Sequence, residues 1–499
     1  MEELSWEKLG NYLNETQILG SIQSTLYWDQ NTAMPKSGSS WRADQLTYIA
    51  KNLHQRNSSK EFSELIEAAD KELNDGEFDD QNERDSKKKN IELLSKELNR
   101  QKKIDPKLVE KLARAKSRGY ESWQQAKKDS NYQIFLPHFK ELINLRIEES
   151  KQISEGLSPW ETLAQPYEPD ITKEWLYKLF KPLKESIPEI LNTTKISKKI
   201  KWDLDPAVQT GLSSKLLDEF GRNKDLVATA ESPHPFSITL GPRDFRITTR
   251  VVKGEPFSSF LATAHEWGHS IYEQGLPSQS HQWFAWPLGQ ATSMAVHESQ
   301  SLFWENRITK SRAFAKCFFK NFLEVGCPFE DYQDLWRSIN SIKAGLNRVE
   351  ADEVSYGLHI LIRTEIEIEL IEGNLDPKDL PNEWNKRYYE LLKIKPSNDA
   401  EGCLQDVHWS EGAFGYFPSY LLGHLISAQL TNSLEKNIGP IDNLIENKEY
   451  NRIIEWLRKN VHCYGRSLNA MELVKEVSHI DLSPYFFINY LKDKIDNLN

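Results

Sequence analysis

Residues 261–273 read LATAHEWGHSIYE and place two histidines four positions apart in an apolar helical pattern. The pattern predicts a helix over about 256–274, and Gly275 is a suitable residue for its C-terminal cap. With about 3.6 residues per turn, His265 and His269 lie one turn apart on the same face. Two imidazoles placed in this way can reach one tetrahedral metal ion together.

Glu266 completes the spacing HExxH, which is typical of zinc metallopeptidases. It lies about 100° around the helix from His265, so its carboxylate can contact a water beside the ion without replacing a histidine. Two alternatives remain open for the motif alone. The match can arise by chance, or two buried histidines can be satisfied by backbone carbonyl groups.

A third ligand has to come from another element, since a catalytic zinc takes three protein ligands and keeps one position for water. The stretch GQATSMAVHESQSLFWENRIT, 289–309, predicts a second helix that contains Glu298. Glu298 follows His269 by 29 residues, which is enough for a loop over 276–288 and a return helix. The alternative is that Glu298 is an ordinary surface glutamate.

Composition and charge exclude several other classes of protein. The chain of 499 residues can bury a large core, and its net charge of −11 disfavours non-specific binding to nucleic acid or anionic membranes. Four scattered cysteines without a CxxC are typical of reduced cytosolic thiols, and the acidic start MEELSWEKLG lacks a signal peptide. We therefore predict a cytoplasmic protein with no nucleic-acid and no membrane partner.

Helical patterns dominate the rest of the chain. Residues 79–128 predict two long exposed helices with a turn near Asp105 and Pro106. Residues 412–434 lack charged side chains but hold glycines, a proline and polar groups, which predicts a buried segment rather than a membrane span. The exception is 237–252, where alternation, a Gly-Pro turn and β-forming residues predict a hairpin.

Eight stretches resemble motifs of the carboxypeptidase Taq family of zinc metallocarboxypeptidases. They occur in the family's order, span residues 28 to 423, and the match in length is nearly end to end. The stretches are WDQNTAMP (28–35), HPF (234–236), DFRIT (244–248), HEWGH (265–269), HESQ (297–300), RVEADE (348–353), IRTEIE (362–367) and GCLQDVHWSEGAFGYFPSYLLG (402–423). Thr364 stands where an aromatic residue is common, and Cys403 where an aliphatic residue is common.

The resemblance implies a mainly α fold with a deep active-site groove and a small β-sheet beside the metal site. No Ser/Gly linker interrupts the chain, so we predict a single metallocarboxypeptidase domain over residues 1–499. Within it, residues 1–180 would be an N-terminal helical part that covers the groove, and residues 181–499 the catalytic part. The resemblance also implies a homodimer.

The implied activity is a metal-dependent exopeptidase that removes single residues with broad preference from peptides with a free C-terminus. Carried over by motif, His265, His269 and Glu298 are the ligands of Zn²⁺, although Co²⁺ or another divalent metal can occupy similar ligands. Glu266 is the general base, which takes a proton from the attacking water and passes it to the leaving amine.

The oxyanion of the tetrahedral intermediate needs donors besides the metal. His408, Tyr416 and Tyr420 lie together in HWSEGAFGYFPSY, and we favour Tyr420, with Tyr416 second. Related helical metallopeptidases place a tyrosine downstream of a histidine in a similar way. The alternative is that these tyrosines pack in an aromatic-rich core.

A carboxypeptidase also needs a cation for the terminal carboxylate, and arginine offers two parallel donors. Arg348 in RVEADE is the first candidate and Arg246 in DFRIT the second. Each can instead form an ion pair, Arg348 with Glu350 and Arg246 with Asp244. This alternative is strong for Arg246, because Asp244 lies two residues away on the same strand face.

Further substrate contacts are predicted from the family motifs. His234, between two prolines, can contact substrate or fix its loop, and Gln405 lies in a motif near the site. Asp406 is a candidate acceptor for a ligand histidine. The edge of the 237–252 hairpin can bind an extended peptide through main-chain hydrogen bonds.

Two rival functions remain. An oligopeptidase or endopeptidase can use the same zinc site, but it needs a groove open at both ends and no clamp for a terminal carboxylate. A non-catalytic helical binding protein with a vestigial site is disfavoured, since the ligands, the base and the oxyanion donors are all present in the sequence.

Overall fold

Helices dominate the computed structural model, which describes residues 4–76, 80–194, 202–280 and 283–499. The mainly α fold predicted from the sequence is confirmed. The α-helices in the described residues are α1 (Ser5–Thr32), α2 (Ser39–Asn57), α3 (Lys60–Asp75), α4 (Gln81–Lys102), α5 (Pro106–Asp129), α6 (Tyr132–Ile153), α7 (Pro159–Ala164), α8 (Lys173–Thr193), α9 (Pro206–Glu219), α10 (Ser258–Gly275), α11 (Met294–Leu302), α12 (Arg312–Leu323), α13 (Tyr332–Ile339), α14 (Glu353–Ile371), α15 (Leu380–Leu392), α16 (Pro418–Ile438), α17 (Ile441–Glu446), α18 (Tyr450–Asn460), α19 (Ala470–Ser478) and α20 (Tyr485–Leu498).

Polar caps fix the starts of several helices that matter for the site. Asp105 accepts a hydrogen bond from the backbone amide of Lys107 at the start of α5, where Pro106 needs no amide partner. Ser293 caps α11 in the same way, and Asp352 caps α14. The two exposed helices predicted within 79–128 are α4 and α5, with their turn at the predicted place.

The predicted hairpin is present and belongs to a three-stranded sheet. Strands β2 (Ser237–Gly241) and β3 (Asp244–Thr249) pair antiparallel, and β1 (Val227–Glu231) pairs parallel with β3, which lies in the centre. The sequence did not indicate β1, because only Val227 of its five residues is buried and no alternation results. The sheet packs on α10, beside the two histidines.

The largest hydrophobic core draws on residues from Ala126 to Ile495, on both sides of residue 180. A second core joins α1, α3 and α4 to Trp286, and a third lies between α5 and α6. The division of one domain into 1–180 and 181–499 therefore stays a prediction.

The uncharged stretch 412–434 forms most of α16 and is largely buried, as predicted. Leu421, Leu425 and Leu434 on this helix are fully buried. Among the residues that the structure describes, no helix is long and apolar enough to cross a membrane.

The helix predicted for 289–309 has two parts. It begins only at Met294, after a short 3₁₀ turn over Pro287–Gly289 and the Ser293 cap. From Phe303 to Thr309 it continues as a π-helix, in which each backbone amide bonds five residues back instead of four. Such segments occur often at functional sites, and this one lies directly after the predicted ligand Glu298.

Candidate metal centre

Helices α10 and α11 approach closely because Gly268 has no side chain at their contact. A Cβ at Gly268 would lie 2.4 Å from the carbonyl oxygen of Gln300 and 2.5 Å from the Cα of Ser301. Gly423 likewise allows α16 to approach α11, since a Cβ at Gly423 would lie 2.9 Å from the Cγ of Glu298. The helices α10, α11 and α16 therefore pack closely around Glu298, because glycines stand at their contacts.

His265, His269 and Glu298 converge, with one ligand atom from each lying within 4.8 Å of the others. The Oε2 atom of Glu298 lies 3.7 Å from Nε2 of His265 and 3.5 Å from Nε2 of His269. Ligand atoms about 2.0–2.2 Å from a tetrahedral zinc lie roughly 3.4 Å from each other. The Oε2 atom of Glu298 thus lies within a few tenths of an ångström of the spacing that a divalent cation needs from each histidine, which supports the predicted ligand set.

Glu305, in the π-helical segment, orients His265. Its Oε2 atom lies 3.0 Å from Nδ1 of His265, and its Oε1 atom accepts from Nζ of Lys310 at 2.5 Å. With Nδ1–H donated to the carboxylate, Nε2 keeps the lone pair that a metal needs.

His269 is oriented by a second histidine. Its Nδ1 lies 2.6 Å from Nδ1 of His297, whose Nε2 lies 2.9 Å from Oε1 of Glu273. If Nε2 of His269 faces the metal, its Nδ1–H donates to His297, whose own proton is then on Nε2 and donates to Glu273. The tautomers of both histidines follow from this chain of hydrogen bonds.

The carboxylates of Glu298 and Glu305 make the site favourable for positive charge. Burial alone lowers the pKa of His265, but Glu298 and Glu305 outweigh burial and raise that pKa to about 10. Burial and the neighbouring His297 hold the pKa of His269 well below its ordinary value, so this imidazole is neutral. A divalent metal requires both imidazoles to be neutral, so its binding would release the proton of His265, and the carboxylates that favour this proton would then favour the cation.

The centre lines a cavity of about 620 Å³, which also contains Glu266, Arg348, Tyr416 and Tyr420 in its wall. Glu266 is 6% exposed, and burial raises the pKa of its carboxyl to about 7, against the opposing effect of His265. A carboxyl with a pKa near neutrality can both accept and return a proton.

The two tyrosines are joined to His408. The hydroxyl of Tyr420 lies 3.5 Å from Nε2 of His408, and the ring of Tyr416 packs against both residues. Burial raises the pKa of both phenols, so both remain hydrogen-bond donors at neutral pH. Burial also lowers the pKa of His408 to about 4, and this neutral histidine is not among the residues that line the cavity.

Arg348 is a buried cation fixed by its neighbours. Its Nε donates to Asp406 at 2.8 Å, and Nη1 donates to the hydroxyl of Tyr356 at 3.1 Å. Asp406, the acceptor predicted for a ligand histidine, is therefore engaged with arginines, since Arg363 also donates to it at 2.6 Å. These contacts use only part of the N–H donors of Arg348, and its side chain faces the cavity.

Gln405 supports the two arginines from behind. Its Oε1 accepts from the backbone amide of Arg348 at 3.3 Å and from Arg363 at 3.0 Å. It does not line the cavity. The structure thus places Gln405 as a support for the arginine pair, and its predicted substrate contact stays untested.

The structure does not bring Arg246 or His234 into the cavity wall. Arg246 forms two hydrogen bonds with Asp244, at 2.9 Å and 3.0 Å, and stacks over the ring of Trp28. His234 is exposed, although the next residues, Pro235 and Phe236, do line the cavity. Of the predicted substrate contacts, Arg348 alone lies in the wall.

Strand β2 is an edge of the sheet and partly faces the metal. Its first residue, Ser237, lines the cavity, whereas the carbonyl of Leu240 near its end accepts from Ser21 of α1. The amino end of the strand is therefore the part where a peptide backbone can bind.

Sequence reasoning missed the residues that support the metal ligands, namely Glu305, His297 and Glu273, and it missed Tyr356, which contacts Arg348. A signal was present for Glu305, which follows Glu298 by seven residues and so lies near the same helix face. His297 is the first residue of the HESQ motif. A signal was also present for Glu273, which follows His269 by four residues on the same helix. Nothing local indicates that Tyr356 comes close to Arg348.

A mainly helical chain that joins an HExxH helix to a glutamate from the next long helix defines the class of helical metallopeptidases. The comparisons agree with this class. The chain belongs to the carboxypeptidase Taq (M32) metallopeptidase family, whose model matches residues 8–495. It is a metal-dependent carboxypeptidase, a hydrolase that acts on peptide bonds.

Named relatives match over nearly the whole chain. Carboxypeptidase 1 of Bacillus subtilis is 34% identical over 482 residues, which are 95% of this chain and 94% of the relative. Thermostable carboxypeptidase 1 of Thermus thermophilus is 33% identical over 509 aligned residues, with 99% and 98% covered. The structure of Pyrococcus furiosus carboxypeptidase, in a form named Apo-Mg, superposes with a TM-score of 0.92 at 27% identity, and 99% of each chain is covered.

Proposed function

We propose that this carboxypeptidase uses zinc held by His265, His269 and Glu298 to release single C-terminal residues from peptides with broad preference. The observation that carries the proposal is that a buried arginine, Arg348, lines the same cavity as the three ligands. A site with one metal centre and one fixed cation can hold the scissile carbonyl and the terminal carboxylate of the same residue.

When bound, the metal supplies positive charge that polarises the scissile carbonyl and lowers the pKa of water. Cobalt can supply the same chemistry from these ligands. Glu266 acts as general base, because it is buried next to the ligands and its carboxyl has a raised pKa. It takes the proton of the attacking water and returns it to the leaving amine.

Tyr420 donates a hydrogen bond to the oxyanion that forms on the scissile carbonyl. Its hydroxyl is held near His408, and its phenol remains protonated. Tyr416 packs on Tyr420 in the same wall and is the second donor candidate. His408 acts through Tyr420 by fixing the position of that hydroxyl.

Arg348 binds the terminal carboxylate with the donors that Asp406 and Tyr356 leave available. The two contacts hold the guanidinium in place before substrate arrives, so little side-chain entropy is lost on binding. Main-chain contacts with the amino end of β2 would align the peptide, and backbone contacts suit broad preference because they do not read side chains.

We further propose a homodimer in the cytoplasm. The dimer rests on the family resemblance. The compartment is supported by the four cysteines Cys317, Cys327, Cys403 and Cys463, all of which are free thiols.

A timed digest of a mixed peptide, read by mass with and without a chelator, tests the reaction. We expect a ladder that loses one C-terminal residue at a time and stops when the metal is removed. A matched peptide with an amidated C-terminus is the control. Internal fragments, or equal cleavage of the amidated peptide, would support the endopeptidase rival.

Replacing Glu266 with glutamine tests the base. We expect Glu266→Gln to lose nearly all turnover, typically by a factor of about 10² to 10⁴, while the protein still binds one metal ion per chain. Metal content is measured by elemental analysis and turnover by release of amino acid. Wild-type turnover in this variant would show that another group takes the proton.

A further inference from the structure

A second cavity, of about 710 Å³, lies apart from the metal ligands between α5, α6 and the turn before α16. Three cationic side chains from three helices line it, namely Arg100 of α4, Lys116 of α5 and Arg146 of α6. No step of the proposed hydrolysis uses these residues.

The inner wall of this cavity carries excess positive charge. Arg146 and Glu149 are both 8% exposed and form an ion pair with each other. Arg100 donates to the carbonyl of Thr162 at 3.3 Å, and neither Arg100 nor Lys116 forms an ion pair with any residue that the structure describes. The other acids of the wall, Glu121 and Glu411, are exposed at the rim.

Donors in the wall also remain without partners. Nε of the buried Arg146 has no hydrogen-bond partner in the described part of the chain. Burial, and then repulsion from Arg146, lowers the pKa of Lys116. A bound anion would offset the repulsion between the cations that line the cavity.

The cavity shares a wall with the metal centre. Tyr167 lines the second cavity and Tyr416 lines the first, and their rings meet edge to face with centroids 5.2 Å apart. The carbonyl of Tyr167 also accepts from the backbone amide of Met294, which lines the metal cavity. The two cavities are therefore neighbours, with the rings of Tyr167 and Tyr416 between them.

We propose that this cavity is an oxyanion-binding subsite that receives the acidic side chain of a peptide substrate on the amino-terminal side of the scissile bond. The assignment of the substrate rests on the proposed function. In an exopeptidase only one residue follows the scissile bond, and Arg348 takes its carboxylate. A second carboxylate then comes from the side chain of a C-terminal acidic residue or from an upstream residue, and we assign it to an upstream residue because the second cavity lies beyond Tyr416, away from the metal ligands. A free phosphate ion has the same chemistry and is the other possible source.

Binding is tested without hydrolysis, by calorimetric titration of inorganic phosphate and of N-acetylglutamate into the metal-loaded enzyme. Lys116→Met removes the charge and keeps the aliphatic stem, and Lys111→Met, at an exposed position of the same helix, is the matched control. We expect Lys116→Met to weaken binding by about tenfold or more, and Lys111→Met to leave it unchanged. Thermal unfolding of both variants verifies their folding, and Arg100→Gln serves as a second variant. No binding to the wild type, or equal binding to Lys116→Met and Arg100→Gln, overturns the subsite.

Kinetics separate the two sources of the anion. Peptides that differ only by glutamate or glutamine at the second, third or fourth residue from the C-terminus are compared. We expect a lower KM for one glutamate position, lost in Lys116→Met, with phosphate competing against the acidic peptide only. Phosphate binding without any KM difference, or an effect confined to a C-terminal glutamate, overturns the substrate assignment. Absence of any C-terminal release would instead overturn the proposed function, and the binding experiment would still decide the subsite.

Discussion

Arg348 and Arg246 show how the same residue type acquires different roles through burial. Arg348 is 8% exposed and is held between Asp406, Tyr356 and the aromatic ring of Tyr420 in the cavity wall. Arg246 is engaged with the neighbouring Asp244 on the sheet. Sequence could rank the two candidates, but only the fold shows which guanidinium faces the metal.

Replacing Arg348 with alanine should raise KM for peptides with a free C-terminus by about 10- to 100-fold, because a charge-assisted hydrogen bond pair is lost. The variant Arg246→Ala is the matched control and should keep wild-type KM. Steady-state kinetics on free and amidated peptides provide the measurement. An equal loss on amidated peptides would argue against a carboxylate contact.

His297 illustrates a role that acts through another residue. It touches no proposed substrate atom, but its Nδ1 lies 2.6 Å from Nδ1 of His269 and its Nε2 lies 2.9 Å from Oε1 of Glu273. We expect His297→Phe to weaken metal binding by about 10- to 100-fold, measured by competition with a chromophoric chelator. His54→Phe, on the exposed face of α2, is the control. Unchanged affinity in His297→Phe would mean that His269 needs no partner for its orientation.

At the scale of elements, the proposed ligands His265, His269 and Glu298 converge because α10 and α11 pack closely against each other. The sequence predicted both helices, because apolar periodicity is a local signal. The predicted C-terminal cap was wrong, since Gly275 is the last residue of α10 and Leu276 is the C-cap. The predicted loop over 276–288 includes residues 281–282, which lie outside the described residues. The sequence could not predict β1, the π-helical segment or the contact between His265 and Glu305, which are 40 residues apart. These features depend on packing between distant parts of the chain.

Gly268→Ala should separate the two helices, because its Cβ would collide with the backbone of Gln300 and Ser301, which cannot move like a flexible side chain. We expect a loss of stability of about 1–3 kcal/mol together with weaker metal binding. Gly20→Ala in α1, where a Cβ meets nothing within 4 Å, should instead be neutral or stabilising by roughly 0.5–1 kcal/mol. Chemical unfolding of both variants measures their stability. An unfolding free energy of Gly268→Ala equal to that of the wild type would contradict the prediction.

Across the whole molecule, buried acids outside the site tie separate elements together. Glu168, which is 3% exposed, accepts from the amide of Ala295 at 2.6 Å and from Ser419 at 2.7 Å, and so joins α11 to α16. The overall helical architecture was readable from sequence, but such junctions and the cavity beside Arg146 were not. They combine residues from three or more distant segments.

Glu168 should make stability depend on pH. Burial raises the pKa of its carboxyl from 4.5 to about 7, so the folded state favours the protonated acid. Its contribution is complete below the unfolded pKa of about 4.5 and is lost as pH rises through about 7, which amounts to roughly 3 kcal/mol. Glu168→Gln mimics the protonated acid and should gain stability over wild type between pH 5 and pH 8.

Urea unfolding of Glu168→Gln and wild type at both pH values measures this gain. The exposed Glu185→Gln is the control and should show no such trend. A constant difference between Glu168→Gln and wild type at the two pH values would mean that Glu168 is ionised throughout.

The π-helical turn at Phe303–Thr309 makes the length of this segment matter more than its composition. Deleting one residue there would let the helix close with regular α geometry, because a π-helical turn is one residue longer than an α-helical turn. If the deleted residue is Phe303 or Trp304, Glu305 changes its position around the helix relative to Glu298, and its carboxylate loses the 3.0 Å contact with Nδ1 of His265. A single-codon deletion in this stretch should therefore be far more harmful than most point substitutions within it.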